Sequence, residues 1–403
     1  MPRPGVQREE AKAYSAQEVT SLWELAALFL RLGLTAFGGP AAHIALMRQE
    51  VVERRKWLTE AQFLDLIGAA NLIPGPSSTE VAIYIGFLRA RWAGLILAGT
   101  CFILPAALLV SLIAWAYVRF GRLPAVLGVL YGVKPVVIAV IVQALWGLGK
   151  TALKTRFLVG VGLVAAVAAF AGVSPLLILF GAGLVLVGEK WLVERQMEGL
   201  TPLLGLLLAL SVLAVAPWLL GRYAVGSQRQ DMPLLFLVFL KLGSVVYGSG
   251  YVLLAFLRSE LVTQRGWLTS AQLLDAVAVG QVTPGPVFTT ATFIGYVMAG
   301  PKGAFVATLG MFLPAFLFVA LSARILPRLR QTALAAAFLD GVNVAALALM
   351  AAITWQLGRD ALRDALTVVL AILSAVLLLR FKVNSAWLIL GGAVVGAVAL
   401  AIR

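Results

Sequence analysis

The tripeptide Pro-Gly-Pro occurs twice in this sequence, and amide or hydroxyl side chains flank each copy. The first copy is Pro74-Gly75-Pro76, with Asn71 before it and Ser77, Ser78 and Thr79 after it. The second copy is Pro284-Gly285-Pro286, with Gln281 before it and Thr289 and Thr290 after it. Proline ends a helix but suits the first turn of the next one. The free amides of that turn and the hydroxyls predict an anion site at each break; the alternative is a structural kink.

Two basic residues lie within apolar segments at corresponding places, Arg31 in the first half and Lys241 in the second. Ionisable groups inside membrane helices are costly and usually face a cavity or a partner. We therefore interpret both as charges that attract an anionic substrate. The alternative is that each side chain extends toward the lipid headgroups.

Glycines follow these two segments, in Gly38-Gly39-Pro40 and in Gly248-Ser249-Gly250. Glycine lets the backbone break or approach a ligand closely. Gly38, Gly39, Gly75, Gly248 and Gly285 therefore complete the predicted substrate-binding set. His43, the only histidine, follows within a turn and is a candidate for proton coupling because imidazole titrates near neutral pH. A lone histidine is more often a hydrogen-bonded structural residue.

Three acidic residues near the breaks are the other candidates for proton coupling: Asp65, Asp275 and Glu80, whose counterpart in the second half is Thr290. Each could instead pair with a nearby arginine, such as Arg48 or Arg258. Lys134 is a similar, weaker candidate, and Asn343 replaces it in the second half. These differences indicate that the two halves are not functionally equivalent.

Short helices must position these residues. Thr59-x-x-Gln62 and Thr269-x-x-Gln272 are capping boxes, which begin a helix, and Pro-Gly-Pro ends it about fifteen residues later. Each half therefore contains two helices joined by a sharp break, neither long enough to cross a bilayer. Irregular backbone survives at membrane depth only where protein or a water-filled cavity satisfies it.

The sequence is internally duplicated. Phe29–Pro76 aligns on Phe239–Pro286 without a gap, and the matches are polar residues and turn formers in order. Weaker similarity continues to Gly181 and Gly391. We predict an N-terminal tail at 1–20, a first repeat at 21–189, a connector with one apolar helix at 190–230, and a second repeat at 231–403. Such duplication is typical of secondary transporters.

Whether the repeats are inverted depends on how many crossings precede the second one, because an odd number inverts it. The extra apolar run Pro202–Leu220 suits an odd number, so inversion is predicted. The basic residues do not settle the orientation, because both halves carry them in corresponding loops.

Composition places the chain in a membrane. Of its 403 residues, 61% are hydrophobic and only 12% are charged, whereas a soluble domain has about 25% charged residues. Several nearly uncharged runs reach the roughly 20 residues that a spanning helix needs. They do not alternate as barrel strands would. We therefore predict an all-α, multi-pass protein of the cell inner membrane whose first helix is retained, since no signal-peptide cleavage site is evident.

Other functional classes are disfavoured. The net charge of +14 comes from residues between apolar runs, as in short loops that contact lipid headgroups, which argues against nucleic-acid binding. One cysteine, Cys101, and one histidine cannot build a Cys/His metal site. We find no zinc-protease motif, nucleophile elbow or P-loop, and predict no enzyme activity and no cofactor.

Each half carries a specific set of motifs. The first-half motifs are Phe37-Gly-Gly-Pro40, His43, Glu50, Arg55-Lys-Trp-Leu58 and Pro74-Gly-Pro76. The second-half motifs are Tyr247-Gly-Ser-Gly250, Gly266-Trp-Leu-Thr269, Asp275, Gly280-Gln-Val-Thr-Pro-Gly-Pro286, Phe293-Ile-Gly-Tyr296 and Phe312-Leu-Pro314. With these motifs, both halves resemble the chromate ion transporter family. Asn71 stands where glutamine is expected by analogy with Gln281.

The resemblance implies a long, two-domain member with about a dozen membrane segments and halves of opposite orientation. It also implies export of chromate from the cytoplasm, driven by the proton-motive force. The expected partners are chromate or a similar oxyanion, protons and lipids, with a homodimer as an open possibility. Sulfate, another tetrahedral dianion, and an anion channel remain the alternatives.

Overall fold

The computed structural model of the chain describes residues 21–37, 39–121, 123–194, 231–247, 252–322 and 333–402. Regular structure within these residues is helical, which confirms the predicted all-α fold. The predicted connector helix Pro202–Leu220 lies outside the described residues. Six described helices are long and apolar enough to cross a membrane, as a multi-pass membrane protein requires.

The described helices follow the same order in each half of the chain. The first half contains α1 (Leu22–Thr35), α2 (Gly39–Arg48), α3 (Glu60–Leu72), α4 (Ser77–Phe120), α5 (Pro124–Ala152), α6 (Arg156–Phe170) and α7 (Pro175–Glu194). The second half contains α8 (Met232–Val245), α9 (Leu253–Leu257), α10 (Ser270–Val282), α11 (Thr290–Ser322), α12 (Ala333–Ala361), α13 (Ala365–Phe381) and α14 (Ser385–Ile402). Wider π-helical turns extend α2 over Gln49–Arg54 and α9 over Arg258–Gln264.

Both predicted capping boxes are present. The Thr59 hydroxyl accepts from the Gln62 amide at 3.2 Å, and the Gln62 side chain accepts from the Thr59 amide at 2.9 Å. Thr269 and Gln272 make the same reciprocal pair. These bonds satisfy amides that a helix start leaves without partners. Helices α3 and α10 therefore begin where the sequence predicts, and they end at Leu72 and Val282.

Helix α4 is a hairpin rather than one rod. Ala90 and Arg91 leave helical geometry, with Arg91 at φ 52°, so residues 77–89 form a short arm and residues 92–120 a long arm. The arms touch where Gly86 meets Gly94, since a Cβ on either glycine would overlap the other's carbonyl. Helix α11 repeats this turn at Ala299 and Gly300, where Gly295 meets Gly303.

Each break lies at the inner end of a re-entrant hairpin. Arg89, at the end of the short arm of α4, donates to the Trp57 carbonyl at 3.4 Å, just before α3 begins. Helix α3 therefore enters from the face to which the short arm returns. Arg55 pairs with Glu24, so α1 and α2 form a second hairpin from that face. We call it the first face; the long arm of α4 runs from it to the opposite face.

The two halves exchange their last helices. Helices α13 and α14 of the second half pack on α5, and helices α6 and α7 of the first half pack on α12. The contacts are close: a Cβ on Gly132 of α5 would overlap the Gly392 carbonyl of α14. Small residues at such interfaces let membrane helices pack backbone to backbone. This exchange fixes α5 and α12 beside the four hairpins.

Candidate functional site

The breaks of one half contact those of the other. The Gly75 amide of the first Pro-Gly-Pro donates to the Val246 carbonyl, which follows α8, at 2.7 Å. In return, the Gly285 amide of the second Pro-Gly-Pro donates to the Ala36 carbonyl, which follows α1, at 2.9 Å. Reciprocal contacts of this kind are expected when equivalent units pack about a two-fold axis. Four helix ends therefore meet in the interior of the protein.

The first Pro-Gly-Pro break exposes a helix start with buried hydroxyls. Helix α4 begins at Ser77, and the Thr79 and Glu80 amides donate to the Pro76 carbonyl at 2.7 and 3.0 Å. Helix geometry leaves the Ser77 and Ser78 amides without an intrahelical acceptor. The Thr79 hydroxyl is buried and has no hydrogen-bond partner among the described residues. This arrangement can donate several hydrogen bonds to an anion.

His43 supports the first break. It is 1% exposed, and its Nε2 lies 3.1 Å from the Ala36 carbonyl. A carbonyl only accepts, so Nε2 carries a proton, and Nδ1 can accept from the Ser78 hydroxyl at 3.3 Å. The structure therefore places His43 against a predicted anion-binding hydroxyl. Its predicted role in proton coupling stays a prediction.

Glu80 is a fully buried acid beside the first break. It has 0% exposure, and neither carboxyl oxygen has a hydrogen-bond partner within the described ranges. A Cβ on Gly75 would overlap the Glu80 carboxyl, so the acid lies directly against the Pro-Gly-Pro turn. The buried Tyr247 hydroxyl from the second half is likewise without a partner there. Unsatisfied buried polar groups are costly and usually mark function or an absent partner.

The second Pro-Gly-Pro break is chemically different. The Thr289 and Thr290 hydroxyls donate to the Pro286 and Val287 carbonyls, both at 2.8 Å, in their own helical turn. Among the described side chains, Gln281 Nε2 is buried without a partner. The second break therefore offers an amide rather than free hydroxyls. The two anion sites predicted from the repeat are not equivalent.

Arg31 and Lys241 lie in ion pairs away from the breaks. Arg31 Nη2 contacts Glu50 at 2.7 Å, and Lys241 Nζ contacts the matching Glu260 at 2.5 Å. Burial by itself would raise the pKa of Glu50, but Arg31 and Arg54 hold that pKa below its usual value. Both acids are buried at the base of a hairpin. These contacts favour a structural role over the predicted attraction of substrate.

The two aspartates occupy different surroundings. Asp65 is exposed, whereas Asp275 is 3% exposed and pairs with Lys134 at 3.1 Å. The alternative arginine partners are engaged elsewhere, Arg48 with Glu60 and Arg258 with Gln356. The pairing of Asp275 with Lys134 was not predicted, because the two residues lie in different halves.

A cavity of about 1000 Å³ leads to the first break. Asn71 and Ser77 line its inner end, and Lys150, Lys154 and Lys382 line it where α5 and α13 end at the first face. Asp340, which pairs with Lys154 at 3.2 Å, is an acidic residue of the lining. These lysines were not among the predicted site residues. Their positions at the ends of apolar helices suggested headgroup contacts instead.

Some predicted glycines can be placed and others cannot. Gly39 is buried at the start of α2 with φ 78°, and Gly75 and Gly285 have φ of 140° and 85°. These values are in the region that favours glycine. Gly38 and Gly248 lie outside the described residues.

The family model and the relatives that match this chain point to the same family. The family model described as "Chromate transporter" matches twice, at residues 23–187 and 234–397. A chromate transport protein of Cupriavidus metallidurans is 35% identical, over 99% of this chain and 98% of its own length. One from Pseudomonas aeruginosa is 35% identical, over 83% of this chain and 81% of its own length.

A shorter relative matches less of the chain. An uncharacterized transporter of Bacillus subtilis is 33% identical over 41% of this chain, which is 82% of its own length. No solved structure matches the chain.

Proposed function

This chain belongs to the chromate transporter family, and on that premise we propose that it is a secondary active transporter that exports chromate from the cytoplasm. Chromate is a tetrahedral dianion at neutral pH. Amide and hydroxyl donors at a helix start, with lysines along the approach, suit such a ligand.

The observation that carries this proposal is the cavity between the lysines of the first face and the first Pro-Gly-Pro break. An anion that enters past Lys150, Lys154 and Lys382 reaches Asn71 and Ser77 at the inner end. Positive charge at the mouth of a cleft raises the local concentration of anions. The donors at the break replace the water that a dianion loses on entering the protein.

We assign substrate binding to the groups around both breaks. The first set is Gly39, Asn71, Gly75, Ser77, Ser78 and Thr79, and the second set is Gln281, Gly285, Thr289 and Thr290. The start of α4 holds the anion most directly, because the Thr79 hydroxyl has no partner among the described residues, whereas the threonines of the second set are bonded to their own helical turn. Arg31 and Lys241 support the hairpins through Glu50 and Glu260.

Helix directions support the proposal that the halves are inverted. Ala315 lies against Gly75, and Ser322 is 2.6 Å from the Tyr84 hydroxyl, so α11 ends alongside the short arm of α4, toward the first face. Ala106 lies against Gly285, and the ring of Tyr117 makes an edge-to-face contact with Phe293. The long arm of α4 therefore runs alongside the short arm of α11, toward the opposite face. Equivalent segments run in opposite directions.

The basic residues then favour the first face as the cytoplasmic one. In the described part of the chain, the residues near the first face are Arg31, Arg48, Arg54, Arg55, Lys56, Arg89, Arg91, Lys150, Lys154, Arg156, Lys190, Arg380 and Lys382. Those near the opposite face are Arg119, Lys241, Arg258, Arg265, Lys302, Arg359 and Arg363. Cytoplasmic segments carry the excess of lysine and arginine. The cavity thus opens toward the cytoplasm, as the loading state of an exporter must.

We further propose that protons drive export through Glu80. A buried carboxyl without a cationic partner can carry a proton without the cost of burying a charge. Its place against Gly75 links that proton to the break that binds the anion. His43, Asp65 and Asp275 are the other candidates for proton coupling. The interior-negative membrane potential adds to the driving force by repelling a dianion outward.

Uptake of labelled chromate into everted membrane vesicles tests the proposal. Everted vesicles convert export into accumulation, and the proton gradient and the membrane potential can be collapsed separately. We expect energy-dependent accumulation that sulfate competes with weakly. Accumulation of sulfate but not of chromate would show that sulfate is the substrate. Fluxes far above carrier turnover would indicate a channel.

A further inference from the structure

Three residues from both halves form a buried polar cluster on the side of the breaks away from the cavity. Lys134 Nζ, on α5, lies 3.1 Å from Asp275 Oδ1, on α10. The Tyr117 hydroxyl, on the long arm of α4, donates to Asp275 Oδ2 at 3.0 Å. The side chain of Asp275 is 5% exposed and that of Lys134 is 21% exposed.

The position of this cluster relates it to the transport path. Tyr117 lies close to the end of the long arm, at the opposite face, and Asp275 lies between the start of α10 and its break after Val282. The cluster therefore ties α4, α5 and α10 together between the breaks and the opposite face. The cavity on the other side of the breaks is open.

The internal repeat gives each member of the pair a counterpart. Lys134 corresponds to Asn343 and Asp275 corresponds to Asp65 in the alignment of the halves. Asn343 lines the open cavity, and Asp65 is exposed. In a transporter with inverted repeats, the two halves exchange conformations between states, so residues that line one cavity have counterparts that line the other. Lys134 is therefore the residue expected beside a cavity open to the opposite face.

We propose that Lys134 is an anion-binding residue of the exit path, and that Asp275 and Tyr117 hold it while the path is open at the first face. This inference rests on the proposed transport of a dianion. A buried ion pair opens at low cost only when another charge or water replaces the lost partner. An arriving dianion supplies that charge to Lys134, while Asp275 becomes hydrated at the opposite face. Only one end of the path carries this cation, because Asn343 replaces it at the other.

Cysteine accessibility tests the pairing without reference to the substrate. Cys101 is buried and is the only cysteine, so a Cys101→Ala background can carry single reporters. The first reporter is Ala144→Cys, at a residue that lines the open cavity. The second is Ala352→Cys. Ala352 is 2% exposed, and its counterpart in the first half, Gln143, lines the open cavity. In detergent-solubilised protein, where both faces are accessible, a polar maleimide should label the first reporter and not the second.

Removal of the ion pair should reverse this pattern. The double variant Lys134→Asn with Asp275→Asn leaves no unpaired buried charge, so it folds even if Lys134→Asn alone does not. We expect labelling of Ala352→Cys to rise roughly tenfold in it. The exchanged pair, Lys134→Asp with Asp275→Lys, should restore protection. Unchanged protection of Ala352→Cys in the double variant would overturn the proposed hold on Lys134.

Transport kinetics test the binding role. Charge-assisted hydrogen bonds contribute enough that Lys134→Asn, in the Asp275→Asn background, should raise the KM for chromate roughly tenfold. Lys134→Arg in the same background keeps the charge and should change KM by less than about twofold. Equal KM values for the two would exclude anion binding by Lys134. If the unaltered protein transports no chromate, the proposed function fails, whereas the labelling result still reports on the pair.

Discussion

The amide of Gly75 donates a hydrogen bond of 2.7 Å to the carbonyl of Val246, across the boundary between the two halves of the chain. The equivalent bond from Gly285 to Ala36 runs the other way. Backbone at a break within a membrane protein has no water to satisfy it, so each half supplies the acceptor for the other. The breaks are therefore stable only together.

A side chain at Gly75 should be poorly tolerated. Gly75→Ala introduces a Cβ at φ 140° that overlaps the Glu80 carboxyl, and strain of this kind costs about 1–3 kcal/mol. We expect less folded protein in the membrane and loss of transport, measured by fluorescence-detected size exclusion and vesicle uptake. Gly160→Ala is the matched control, because a Cβ there has nothing within 4 Å. Normal folding of Gly75→Ala would contradict the crowding at this turn.

The hydroxyls at the first break should contribute more to transport than those at the second. Replacing Ser77, Ser78 and Thr79 with alanine removes the hydroxyls beside the start of α4, and we expect KM for the oxyanion to rise about tenfold or more. The control replaces Thr289 and Thr290, whose hydroxyls bond their own backbone. Abundance in the membrane should stay near normal in both. Equal losses of transport would show that the two breaks contribute alike.

Glu80→Gln should separate proton coupling from anion movement. Glutamine keeps the shape of the side chain but cannot carry the proton, so uptake driven by a proton gradient should fall while uptake driven by membrane potential remains. Glu53→Gln, at an exposed acid that pairs with Arg48 at the first face, serves as the control and should leave both components intact. The measurement is chromate uptake into everted vesicles with one gradient imposed at a time. If uptake by Glu80→Gln still responds to the proton gradient, a group other than Glu80 couples transport to protons.

Glu50 should stabilise the hairpin formed by α1 and α2 above mildly acidic pH. Its pKa in the folded protein lies below the usual value of 4.5 because Arg31 and Arg54 favour the charged form despite burial. A lowered pKa stabilises the folded state above pH about 4.5, and this contribution is lost as pH falls through the folded-state pKa. Thermal unfolding in detergent should show Glu50→Gln to be less stable at pH 7, by about 1 kcal/mol because Arg31 is half exposed.

The difference between Glu50→Gln and the unaltered protein should shrink as the pH is lowered below 4.5. Arg31→Gln should behave in the same way and leave the KM for chromate unchanged. A raised KM with normal stability would return Arg31 to the predicted role in attracting substrate.

Local signals in the sequence were sufficient for much of the site. The capping boxes at Thr59 and Thr269 and the prolines that follow act through neighbouring backbone, so they fix where α3 and α10 begin and end. The hairpin turn at Ala90 and Arg91 was not predicted, because neither residue is a turn former. Gly86 and Gly94, repeated as Gly295 and Gly303, were the available signal, since glycines this far apart meet only if the helix doubles back.

Contacts between the two halves could not be predicted from local signals in the sequence. The pairing of Lys134 with Asp275 and the approach of Tyr117 depend on how the halves pack, which no local pattern encodes. The repeat did not reveal that the two breaks differ. Hydroxyls follow both, yet a 3-10 turn at Val287–Thr289 brings those of Thr289 and Thr290 onto their own carbonyls, while their predicted role in substrate binding stays a prediction.

The exchange of terminal helices between the halves determines when during synthesis the protein can fold. Synthesis releases α6 and α7 into the membrane before α12 exists, and α5 must wait for α13 and α14. Until the final helix is inserted, the glycine face at Gly132 has only lipid beside it. The ribosome therefore finishes nearly the whole chain before the transport path can assemble. A chain released early has unpaired helix surfaces, which would mark it for degradation.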